Sequence, residues 1–73
     1  MEQVYRDALD VARRQGAKGI ELRTATSYAG WLGRHGRAAE GRALLAPIYA
    51  TFTEGFDTRD LIEAKALLEE LGA

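Results

Sequence analysis

Residues 30–36 read GWLGRHG, with glycines at Gly30, Gly33 and Gly36. Three evenly spaced glycines suit a loop that wraps a phosphate, or a helix face pared down so that a neighbouring helix can lie close. The spacing argues against the phosphate loop. A dinucleotide fingerprint needs G-x-G-x-x-G after a strand, and a P-loop needs G-x-x-x-x-G-K-[ST]. Neither spacing occurs here, and no strand pattern precedes the stretch. Gly30 and Gly33 therefore read as helix-interior residues, each costing about 1 kcal/mol relative to alanine, a cost that close packing offsets. Gly36 reads as the C′ residue that ends the helix.

The helix around this stretch is expected over 18–35. Leu22, Ala25, Ala29 and Leu32 recur at intervals of three and four, the period of an α-helix, and Tyr28 and Trp31 lie on an adjoining face. An apolar arc this wide predicts contact with helices on two sides. Upstream, a first helix is expected over 2–15. Val4, Ala8, Val11 and Ala12 form its stripe, Tyr5 and Leu9 lie beside it, and Gly16 follows as a cap. Arg13 and Arg14 fall in its last turn, where cations complement the helix dipole.

A third helix begins near Arg37 and carries Gly41, Leu44, Leu45, Ile48 and Phe52, with Gly55 ending the segment. Pro47 interrupts it. Proline removes a backbone donor and clashes with the carbonyl four residues back, so a kink near 43–47 or a short break is expected. The fourth helix covers 58–72. Asp57 or Thr58 is its N-cap, and Leu61, Ala64, Leu68 and Leu71 form its stripe.

A shift of 39 residues lays Leu22 on Leu61, Ala25 on Ala64, Ala29 on Leu68, Leu32 on Leu71, Leu9 on Ile48 and Gly16 on Gly55. Two helices per unit and a period in this range mark an α-solenoid. With HGRAAEG (35–41) as anchor, Gly36, Ala29, Gly41 and Leu45 resemble the turn glycine, small and large sites of a tetratricopeptide repeat. Ala25, Ile48 and Thr53 stand where that motif has Trp, Ala and Pro.

A resemblance over nearly the whole chain is carried by ALDVARRQGAKGIELRTATSYA (8–29), LLAPIY (44–49), FTEGFDT (52–58) and DLIEAKALLEEL (60–71). These phrases look like the extreme C-terminus of large bacterial regulatory proteins. Those proteins carry a class III adenylate or guanylate cyclase domain or a DNA-binding domain, then an AAA-type ATPase module, then tetratricopeptide-like repeats. The resemblance implies an all-α fragment of antiparallel helix pairs: a half repeat (2–15), a full repeat (18–53) and a terminal capping helix (58–72). It brings no cyclase or ATPase residues with it.

Composition sets further limits. An apolar fraction of 47% and a charged fraction of 29% are those of an ordinary folded protein. Cysteine is absent, which rules out disulfides and thiolate metal sites. The net charge of −1 supplies no global field for DNA or anionic membrane. The charge is uneven, however. Residues 1–53 hold eight Lys/Arg against five acids and residues 54–73 two against six, which suits solvated faces or head-to-tail complementarity. No apolar run reaches the roughly 20 residues of a membrane span, and the N-terminus lacks a signal-peptide core. A cytoplasmic protein is expected.

No catalytic, cofactor-binding or metal constellation emerges. His35 is the only histidine, has no carboxylate pair nearby, and reads as a cation near a helix end. Ser27 has no base at helical spacing, and Glu69 and Glu70 point in different directions. The expected function is a non-catalytic protein–protein scaffold. The candidate interface is Val4, Tyr5, Ala8 and Val11 of the first helix, left uncovered by a missing partner, with Tyr28 and Trp31 as an aromatic patch. Its partner is a second copy in a closed symmetric dimer, or the preceding repeats of a parent protein, with no small-molecule substrate. The alternative is nucleic-acid association through the basic turn Arg34, His35, Arg37 and Arg42.

Overall fold

The computed structural model describes residues 2–52 and 58–72. These residues form four helices and no strand: α1 (Glu2–Gln15), α2 (Lys18–Arg34), α3 (Ala38–Ala50) and α4 (Arg59–Gly72). The protein is all-α, and each helix starts and stops within two residues of its expected position except at the end of α3, which stops at Ala50, short of Phe52. The turn expected at Gly55 and the cap expected at Asp57 lie outside the described residues. Thr58 stands at the Ncap position of α4, where its carbonyl accepts from the Ile62 N–H at 3.0 Å.

Two helices end in the same way, and glycine dictates how. Gly16 has φ +64° and Gly36 φ +74°, a left-handed conformation that other residues adopt only with strain. Ala17 N–H then reaches back to Ala12 O at 2.9 Å and Gly16 N–H to Arg13 O at 3.2 Å. Arg37 N–H bonds Leu32 O at 2.8 Å and Gly36 N–H bonds Gly33 O at 3.4 Å. Each end is a Schellman motif, which satisfies carbonyls the helix would otherwise orphan. Each turn is short enough to set the next helix antiparallel to the last.

Pro47 does not break α3, which runs unbroken to Ala50. The carbonyl that loses its donor belongs to Ala43. Both Pro47 and Ala43 lie on the exposed side of the helix, where water can replace the missing hydrogen bond.

α2 is the central element and packs against α1, α3 and α4, while α3 also packs against α4. Its wide apolar arc is used as expected: Leu22, Ala25, Tyr28, Ala29 and Leu32 are all buried. They join Leu9, Leu45, Ile48, Leu61 and Ala64 in one core. The Cα atoms fill 29 × 27 × 17 Å, so the thin dimension is about that of two helices side by side. Burial follows the 39-residue shift at Leu9 and Ile48, Leu22 and Leu61, and Ala25 and Ala64.

The glycines divide by what they face. A Cβ added at Gly41 would stand 2.8 Å from Ala29 O, so α3 crosses α2 there in backbone contact. At Gly33 the same atom would meet Leu71 Cδ2 of α4 at 2.8 Å, and at Gly30 it would find Arg34 Nη1 at 3.6 Å. Helix packing is therefore the role of Gly33 and Gly41, and capping that of Gly36.

Candidate interaction surfaces

The first surface is the junction of α1 and α2. Tyr5 of α1 stacks on Tyr28 of α2 with ring centroids 5.2 Å apart and planes 8° from parallel. Trp31, one turn further along α2, meets both rings at tilted angles, 6.4 Å from Tyr5 and 6.3 Å from Tyr28. His35 closes the group by stacking on Trp31 at 4.1 Å. The His35 Nδ1–H donates to Trp31 O at 2.8 Å, satisfying a carbonyl in the last turn of α2.

Charged groups rim these rings. The Tyr28 hydroxyl donates to Glu2 Oε2 and accepts from Arg6 Nε at 3.2 Å. Arg37, from the turn before α3, grips Glu2 with two nitrogens: Nη1 to Oε1 at 3.3 Å and Nη2 to Oε2 at 3.0 Å. The same guanidinium also donates to Glu40 from Nε and Nη2. Such a fork-to-carboxylate pairing is stronger and more directional than a point-charge pair. One acid thus ties the first turn of α1 to α2 and to the start of α3.

The Arg37 hydrogen bonds, followed by that of Tyr28, lower the Glu2 carboxyl pKa from 4.5 to about 2. Hydrogen bonding to Arg37 likewise lowers Glu40. Arg37 itself is raised, first by Glu40 and then by Glu2, and Arg6 is raised by Tyr28. A general base works best with a proton affinity near the ambient pH. Glu2 is held far below that range, and the cluster acts as a clasp between helices.

The six candidate interface residues therefore separate. Tyr28 is buried, Tyr5 is half-buried against it, and Trp31 is half-buried and covered by His35. Their ring surfaces are engaged within the chain. Val4 is 64% exposed, Val11 is 48% exposed and Ala8 lies between them on the same face. Beside Val4 and Ala8, a hollow of about 300 Å³ opens between α1 and α2, with Arg23, Thr24 and Ser27 on its far side.

The cations of the turn do not converge. Arg37 is bound to Glu2 and Glu40. The Arg34 guanidinium folds over Gly30, and that of Arg42 lies along Gly72 at the end of α4.

The second surface was not expected from sequence. α3 and α4 leave an open groove between them, made of two adjoining hollows of about 380 and 470 Å³ that share Arg42, Ala46 and Gly72. Its apolar lining is Ala39, Ala43, Ala46 and Pro47 from α3 and Leu68 and Leu71 from α4. Alanines attract little notice as binding residues, but at i, i+4 and i+7 they make a shallow trough. That spacing was the one available signal.

Among the described residues, no group of three or more His, Cys, Asp or Glu side chains is placed to hold a metal ion. No described helix is long and apolar enough to cross a membrane. No family model matches the chain, and neither a curated protein nor a solved structure matches it.

Proposed function

We propose that this chain is a non-catalytic helical scaffold of tetratricopeptide type. It works as the C-terminal end of a larger cytoplasmic regulatory protein and self-associates in isolation through the outer face of α1. The observation that carries this reading is the row Val4, Ala8 and Val11. These residues stand at i, i+4 and i+7 with both valines exposed, although α1 already buries another face of itself against α2. Full burial of such a side chain is worth roughly 1.5–3 kcal/mol, a substantial term for a small domain of marginal stability.

Three features support the helix-pair reading. The 39-residue shift recurs in burial at three pairs of positions. α1 joins α2, and α2 joins α3, through short glycine-capped turns, and α2 packs on the helix after it and on the one after that. On this reading the face left open by α1 is covered by preceding repeats in the parent, and by a second copy when the chain is alone.

Sedimentation velocity over a range of concentrations tests the proposal. The mass is expected to rise above that of one chain. Val4→Glu with Val11→Glu is expected to return it to one chain with helix content unchanged. A wild-type chain that stays single at every concentration would refute self-association.

A further inference from the structure

α1 bears two apolar rows, and α2 covers one of them. Tyr5, Leu9 and Ala12 pack inward; Val4 and Val11 are exposed, and Ala8 between them is half-buried. At 1.5 Å per residue the outer row is about 10 Å long. The α3 floor of the second groove, from Ala39 to Pro47, is about 12 Å long by the same measure. Among the described residues α1 packs on neither α3 nor α4, and the Glu2–Arg37 bridge is its link to the start of α3, so row and groove are separate surfaces of one molecule.

The cations beside the row, Arg14 and Arg23, are held in ion pairs by Asp10 and Asp60, and the charges left outside ion pairs at the two surfaces are opposite. Asp7 sits at the middle of the outer row, on its flank, and the Gln3 amide donates to it. It forms no ion pair among the described residues. Arg42 and Lys65 line the groove and likewise form no ion pair among the described residues; Glu69 is the one acid in the lining.

We propose that the α1 row of one copy seats in the α3–α4 groove of a second copy, with Asp7 facing Arg42 and Lys65. This rests on the self-association reading above and names its contact. The alternative, two α1 rows packed on each other about a two-fold axis, is disfavoured by the same aspartate. Residues near such an axis meet their own copies, and a pairing centred on Ala8 sets Asp7 beside Asp7, where like charges repel. Row into groove is a heterologous contact, which closes into a ring or continues as a chain of copies.

Complementary charge reversal tests it. Asp7→Lys makes the row repel the native groove, and R42E/K65E makes the groove repel the native row. All three positions are exposed, so circular dichroism should show native helix content. Each variant alone is expected to lose the heavier species in sedimentation velocity. The equimolar mixture is expected to regain it, because each row then finds an oppositely charged groove. If the wild type assembles and either variant stays as heavy as wild type, the contact is elsewhere and this proposal fails while self-association stands. A mixture no heavier than its separate components also overturns it. A single-chain wild type overturns both.

Discussion

Gly41 and Ala29 bring α3 and α2 into backbone contact: a Cβ at position 41 would stand 2.8 Å from Ala29 O and 3.3 Å from Ala29 Cα. A backbone cannot swing aside as a side-chain tip can. Gly41→Ala therefore forces the helices apart, an overpacking cost of about 1–3 kcal/mol, against which alanine's helix propensity returns about 1 kcal/mol. Net destabilisation is expected, with the melting temperature falling by several degrees.

Gly33 and Gly30 should behave differently, and they make the comparison informative. At Gly33 the obstacle is Leu71 Cδ2, the far end of a flexible side chain, so Gly33→Ala is expected to be nearly neutral. At Gly30 the nearest atom is at an ordinary 3.6 Å, so Gly30→Ala should stabilise by about 0.5–1 kcal/mol. Thermal melts of the three variants check the order: Gly30→Ala highest, Gly41→Ala lowest.

Acid should loosen the clasp at Glu2. Its carboxyl pKa is lowered from 4.5 to about 2 by Arg37 and then Tyr28. A depressed carboxylate contributes stability that is fully present above the unfolded value and is lost as the pH falls through the folded one. The loss should therefore run from about pH 4.5 down to about pH 2. Tyr28 and Trp31 fluorescence should follow it, and Glu2→Gln should flatten this part of the profile.

Tyr28→Phe removes the hydroxyl that donates to Glu2 and accepts from Arg6, leaving the stacked ring in place. A cost of about 0.5–1.5 kcal/mol is expected, read as a shift in the urea midpoint. Combined with Glu2→Gln, the change should be less than additive, because both remove the same contact.

Gly36→Ala tests the turn. With φ +74° the substitution places a Cβ in the left-handed region at a cost of about 1–2 kcal/mol, although nothing lies within 4 Å of that position. Equilibrium unfolding should show this loss with native helix content retained.

The helices were legible because their punctuation is local: Gly16 and Gly36 close α1 and α2, and the three-four spacing of Leu22, Ala25, Ala29 and Leu32 runs between them. The orientation of α1 was not legible. Val4, Ala8, Val11 and Tyr5, Leu9, Ala12 are both apolar rows at i, i+4 and i+7, one residue apart. Either could face inward. The inward row is the one whose tyrosine finds Tyr28 to stack on, and that partner lies 23 positions away. The Glu2–Arg37 bridge, 35 residues apart, and the α3–α4 groove likewise depend on how the chain returns on itself, which no local pattern encodes.

Because α2 is the only helix that α1 packs against among the described residues, α1 can swing off while the other three helices keep their mutual contacts. Its backbone amides should exchange with deuterium through partial opening, ahead of those in α2 and α3. The opening segment would then be the hinged door of the fold, held by the packing of Tyr5, Leu9 and Ala12 on α2 and latched by Glu2, and whatever engages its outer valines would decide how often that door stands ajar.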